Sequence, residues 1–181
     1  MKKILFAGAL TLAALQMNAE ESKVIRISTD QTDLILKVGE NGRLYQTYLG
    51  EKLLHEADVN RFSWDIHAGS DGSISQRGWE VYSGSGNEDY FEPAVAITHN
   101  DGNTSTYLYY VSSSTSPVEG GTQTTINLRD DKYPVDVTLH YVAYPKENVI
   151  KTWSEIKHQE KKPIILSTYA STMLYFCRSS Y

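Results

Sequence analysis

The chain has 181 residues, with 17 Lys/Arg against 22 Asp/Glu for a formal charge of −5, 13 tyrosines and one cysteine. A mildly acidic chain without a Lys/Arg stripe offers no footing for nucleic acid, because neutralising phosphates needs clustered cations. The lone Cys177 excludes an internal disulfide and, with no ligand spacing around it, a zinc site.

The first segment reads as an export signal. Lys2 and Lys3 precede an apolar run, Ile4–Leu15, and Ala19 stands before Glu20-Glu21. A basic start, an apolar stretch too short to span a bilayer and a small residue before an acidic stretch mark a secretory signal peptide, with cleavage expected after Ala19. No cysteine sits there to carry a lipid. Removing these 19 residues takes away two lysines and no acidic residue, leaving 162 residues with a charge of −7. Residues 20–181 are expected to form one exported domain, periplasmic or extracellular, without a membrane span.

Period-two runs then recur between turn signals, and no helical periodicity is sustained. Lys23–Thr29 alternates. Thr32–Val38 and Gly42–Leu49 flank Glu40-Asn41-Gly42, an Asn-Gly hairpin signal. His55–Trp79 has no period and much Gly, Ser and Asp, which predicts an irregular segment, and Trp64 and Trp79 within it call for burial or a ligand. Ala94–His99 and Ser105–Ser113 flank Asn100–Asn103, a second expected hairpin. Thr122–Asp130 and Tyr133–Tyr144 flank Asp130-Asp131-Lys132, a third. In Tyr133–Tyr144 the residues Val135, Val137, Leu139, Tyr141 and Ala143 share one face. Asn148–His158 and Pro163–Phe176 flank Gln159–Lys162, a fourth, whose loop holds the only basic cluster, read as a solvated turn. Successive hairpins imply antiparallel pairing, and sheets buried on one face pack in pairs, so the expectation is an all-β, antiparallel β-sandwich.

Chemistry-bearing motifs are sparse. His55, His67, His99, His140 and His158 form no metal-ligand spacing and are expected as solvated strand-face or turn residues. There is no GxSxG elbow. Gly84-Ser85-Gly86 lacks the GxxxxGK pattern and helix start of a phosphate loop. Glu88, Asp89 and Glu92 crowd into five residues, whereas a glycosidase pair must flank a sugar from opposite sides. Their expected role is structural: Gly84 and Gly86 make a turn, and Pro93 starts a strand where a missing N–H does least harm.

The stretch "GSGNEDYFEPAVAITHNDGNTSTYLYYVSS" resembles the N-terminal domain of glycoside hydrolase family 36 α-galactosidases. That domain has a Gly-x-Gly turn, an acidic/aromatic step, a Pro-Ala strand start, then Asp-Gly and a Tyr-rich returning strand. "TTINLRDDKYPVDVTLHYVAYPKENVIKTWSEIKH", "ILSTYASTMLYF" and the early "GRLYQTYLGEKL" extend the likeness over nearly all of Thr32–Phe176.

The resemblance implies a supersandwich-like β-domain preceding a (β/α)8 barrel that carries both catalytic aspartates and releases terminal α-galactose. Nothing in the chain reads as that barrel, and the family's sandwich continues further. The chain is therefore expected to be the front part of a longer protein, incomplete at its C-terminal end and without catalytic residues or cofactor of its own. Its α-galactoside substrate would be met through the missing barrel, in a full-length form that could be a homo-oligomer. The family's N-terminal domain also supplies an aspartate to the galactose hydroxyls, and the best match here is Asp65 in "FSWDIHAG", with Asp58 second. Trp64 beside Asp65 could stack on a sugar ring. A free-standing β-sandwich that binds glycan or a partner protein is the alternative reading.

Overall fold

The computed structural model describes residues 23–61, 79–86 and 92–176. Strands run in the order β1 (Val24–Ser28), β2 (Thr32–Val38), β3 (Leu44–Glu51), β4 (Trp79–Glu80), β5 (Val95–Thr98), β6 (Leu108–Val118), β7 (Gly121–Asp130), β8 (Val135–Tyr144), β9 (Val149–His158) and β10 (Ile165–Tyr169). A short helix, α1 (Glu56–Arg61), lies between β3 and β4. Three sheets result, with strand orders β1-β2-β3-β4, β6-β7-β8-β9 and β10-β5, and every strand pair is antiparallel.

Alternating apolar residues of all three sheets meet in one core. The first sheet gives Ile25, Ile27, Leu34, Leu36 and Leu44, the second Ile126, Leu128 and the β8 row Val135, Val137, Leu139, Tyr141 and Ala143, and β5 gives Val95 and Ile97. Each buried Val, Leu or Ile side chain contributes roughly 1.5–3 kcal/mol by leaving water. The all-β sandwich expected from periodicity is therefore the fold, and the buried face of β8 is the one its alternation marks.

Hairpins form where the turn chemistry is strictest. Gly42 closes β2–β3 at φ +76°, a conformation that suits glycine. The ladder then carries an irregularity at Ile35/Leu36, where the Thr47 hydroxyl donates to the Ile35 carbonyl. β7–β8 also pairs across its expected turn.

Two of the expected hairpins are instead crossings between sheets. The turn at Asn100–Asn103 forms, with the His99 N–H on the Asn103 carbonyl and the Gly102 N–H on that of His99, yet β5 pairs with β10 and β6 with β7. The turn after β9 likewise leads into β10, which pairs with β5. The partners β9 and β6 take are β8 and β7, through the turns at Pro145–Asn148 and Val118–Gly121. Turn residues reverse the chain, but they do not decide whether the returning strand rejoins its own sheet.

Candidate functional site

The family resemblance directs attention to the segment between β3 and β4. Asp65 and Trp64 lie outside the described residues, as do Glu88 and Asp89. Both roots of the segment are described, and each is held by a charged network.

At the first root Asp33, on β2, is fully buried and points away from the sandwich core. Its carboxylate receives Arg26 Nε at 3.2 Å and Nη2 at 2.7 Å, the Leu53 N–H at 2.8 Å, and the Ser28 hydroxyl. Arg26 in turn donates to the Leu53 carbonyl at 2.8 Å and to Glu56, in the first turn of α1, at 3.0 Å. Residues 53–56 are thus fastened to the outer side of β1–β2, and Ile35 and Val59 are buried outside the main core. Burial pushes the Asp33 carboxyl up, but the hydrogen bonds from Arg26, Ser28 and Leu53 with the Arg26 charge outweigh it, holding its pKa below the usual range. Asp58, the second sugar-contact candidate, sits in α1 with Arg61 4.0 Å away.

At the second root Glu80 forms a buried ion pair with Arg43, Nη2 to Oε2 at 2.6 Å and Nε to Oε1 at 3.0 Å. Trp79 stacks on Tyr175, centroids 5.5 Å apart, and Gln46 exchanges two hydrogen bonds with the Tyr175 backbone. Trp79 is half-buried, and its demand for a partner is met by an aromatic from the end of the described chain.

The Gly84–Gly102 stretch builds a second cluster at the turn end of β5 and β6. Gly84 makes an isolated parallel bridge to Val95, and an added Cβ there would collide with the Thr106 carbonyl. Gly86 has φ +79°, and its Cβ would meet Ser105. The glycines therefore serve a close approach of backbone to backbone, with the Thr106 N–H on the Ser85 carbonyl. Glu92 is exposed, one residue before Pro93.

His99 belongs to this cluster and is buried, contrary to the expectation of a solvated histidine. Its Nδ1 lies 2.7 Å from Glu160 Oε1, its Nε2 lies 3.2 Å from Thr106 Oγ1, and its ring stacks on Tyr133 at 3.5 Å. The other Glu160 oxygen accepts from the Asn100 N–H at 3.0 Å and from Nδ2 at 2.7 Å. Burial pushes the Glu160 carboxyl up, whereas the Asn100 N–H and His99 pull it down, and the net displacement is downward. The signal was present in the alternation, since Val95, Ile97 and His99 share one inward face. Hydroxyl, imidazole and carboxylate line up as in a nucleophile relay, but His99 and Thr106 are sealed from solvent, which no substrate could enter. The group pins the β9–β10 turn to the β5–β6 turn.

Among the described residues no three His, Cys, Asp or Glu side chains converge as a metal site, and no helix is long and apolar enough to cross a membrane.

Several solved structures of similar shape are α-galactosidases. The enzyme from Lactobacillus brevis matches with TM-score 0.69 at 17% identity, over 84% of this chain and 24% of that one. The family 36 enzymes AgaA and AgaB from Geobacillus stearothermophilus match with TM-score 0.69 at 22% identity, over 83% and 84% of this chain and 24% of theirs. The chain thus spans about a quarter of the length of these structures. Variants of AgaA have been solved with raffinose and with stachyose. No curated protein sequence matches the chain. The family model for the glycosyl hydrolase family 36 N-terminal domain matches residues 42–181. With that match and this sandwich together, the chain belongs to the glycosyl hydrolase family 36 N-terminal domain family.

Proposed function

We propose that the chain is the N-terminal β-sandwich portion of an exported α-galactosidase that removes terminal α-galactosyl residues from oligosaccharides. The family match over residues 42–181 carries this reading. The structures of similar shape support it, because in each of them a sandwich like this one accounts for about a quarter of an α-galactosidase. The catalytic carboxylates, which in a retaining glycosidase stand about 5 Å apart across the scissile bond, are assigned to a barrel outside these 181 residues, as the family resemblance implies. The sandwich contributes the segment carrying Asp65, whose acceptor-only carboxylate suits the hydroxyl donors of a galactose ring. The networks at Asp33 and Glu80 hold the two roots of that segment. Residues 1–19 direct export as a signal peptide.

The experiment is to read the coding frame beyond codon 181, express both the 181-residue chain and the extended product, and assay each on an aryl α-galactoside. The expected result is hydrolysis by the extended product and none by the 181-residue chain. An extended product without activity, or an active 181-residue chain, overturns the proposal.

A further inference from the structure

One sequence pattern lies outside everything the hydrolytic reading uses. Asp101-Gly102-Asn103-Thr104-Ser105 sets a hydroxyl residue two positions after an asparagine and an acidic residue two positions before it, with no proline between. Asn-x-Ser/Thr is the acceptor pattern for an N-linked glycan on a surface loop. Asn103 is the one asparagine of the 181 residues that carries it. The acidic residue extends the pattern, because an exposed carboxylate gives a cationic pocket of a transferase a second point of attachment.

The fold puts this pattern where an enzyme can reach it. Residues 101–104 are exposed in the turn between β5 and β6, and residues 103–107 belong to neither strand. Gly102 stands at φ +89°, and a Cβ built on it would meet nothing within 4 Å, so the approach to the turn is open on that side. Two side chains bond the backbone two residues on: Asp101 Oδ1 accepts the Asn103 N–H at 3.0 Å, and Asn103 Oδ1 accepts the Ser105 N–H at 2.8 Å. The second bond engages the amide oxygen, not the nitrogen that a glycan joins. The Tyr133 hydroxyl, which donates to Asp101 Oδ2 at 3.0 Å, also bonds the Asn103 side chain. That contact is exposed and yields to water at little cost.

The turn is held by its backbone. The Asn103 carbonyl accepts the His99 N–H at 2.8 Å, and the Thr104 carbonyl accepts the Ser85 hydroxyl at 2.6 Å. A substituent on Asn103 Nδ2 breaks neither bond, so the folded turn can carry one.

We propose that Asn103 is an acceptor site for one N-linked glycan, transferred from a polyprenyl-diphosphate-linked oligosaccharide. In that step Asn103 Nδ2 bonds to the anomeric carbon of the donor, and the bond from that carbon to the diphosphate oxygen breaks. The diphosphate leaves with the electron pair, and the nitrogen gives up one proton. Occupancy in the cell rests on the export proposed above, because the transfer takes place on the outer side of a membrane, whereas competence as an acceptor does not. The glycan sets a hydrated branch beside Tyr133, the ring that stacks on His99.

The test incubates the purified 181-residue chain with a bacterial oligosaccharyltransferase and its polyprenyl-diphosphate-linked oligosaccharide, and reads intact mass and peptide fragmentation. One added glycan is expected, on the peptide that holds Asn103. Asn103→Gln and Ser105→Ala are expected to lose the whole mass increment, Asp101→Ala to lose most of it, and Ser105→Thr to keep it. Far-ultraviolet dichroism verifies the fold of each variant, and rescue by threonine separates a need for the hydroxyl from a need for the native turn. A synthetic peptide of residues 99–108 serves as the unfolded reference. An unmodified chain, whether or not the peptide is modified, overturns the proposal. So does a glycan on any other residue, or full occupancy in Ser105→Ala or Asp101→Ala. Removal of residues 1–19 and hydrolysis of an aryl α-galactoside are scored on separate samples, so failure of export or of activity is distinguishable from failure of this site.

Discussion

The two outer faces of the sandwich treat charge in opposite ways. On the β1–β2 side Asp33 is sealed beneath residues 53–56, and its side chain is 0% exposed against Arg26 at 26%. On the β6–β9 side Arg129 and Asp136 pair just as closely, at 2.6 Å, but stand 62% and 35% exposed. Distance alone would rank the two pairs as equals. Solvent separates them: a buried carboxylate depends on every one of its partners, whereas an exposed pair is screened and can exchange its partner for water. The first face is therefore a structural joint, whereas the pair on the second stands in solvent.

Removing the buried carboxylate should break this contrast most sharply. Asp33→Ala leaves Arg26 and the Leu53 N–H without their acceptor, and the expected loss is about 3 kcal/mol in urea unfolding. A smaller effect comes from Glu160→Gln, which keeps the shape of the turn-to-turn pin but weakens its charged hydrogen bonds, at a cost of roughly 1–2 kcal/mol near neutral pH.

The pH dependence of these groups has a definite sign. Asp33 and Glu160 both have folded pKa values below their ordinary ones. Each therefore adds stability that is fully present above the ordinary carboxylate pKa, near 4, and that disappears as pH falls through the depressed folded value. Melting temperature followed downward from pH 6 should fall below about pH 4 in the parent chain and less steeply in Glu160→Gln. The smallest effect belongs to Arg129→Ala, which should leave the melting temperature unchanged within error. A loss there comparable to that of Asp33→Ala would erase the distinction between the faces.

What the sequence disclosed, and what it withheld, divides along the same physical line. The β8 row was legible because alternation is a local consequence of the pleat. The hairpin at Asn41-Gly42 was legible because its turn needs a residue at positive φ, which Gly42 supplies. Asp33 was read only as part of a strand, and its burial could not be seen, since residues 53–56 reach it only in the folded chain. His99 lay in plain alternation with Val95 and Ile97, and only the habit of reading histidine as polar concealed it. The β5–β10 pairing joins residues about seventy apart in sequence, and turn chemistry carries no information at that range. Of the candidate site, the two roots became visible in the structure, while Asp65 keeps the standing that the resemblance confers.

That long-range pairing also orders events as the chain is made. β6, β7, β8 and β9 are consecutive hairpin neighbours and can zip together as they emerge, each with the strand just before it. β5 precedes all four, yet its ladder needs Ile165–Tyr169, which are made after all of them. Throughout that interval Val95 and Ile97, wholly enclosed in the finished molecule, have no strand beside them on that edge. Closing so wide a loop is slow and comes with its entropy cost already incurred. The nascent domain thus has a waiting period, set by topology, in which β5 lacks the strand that completes its ladder.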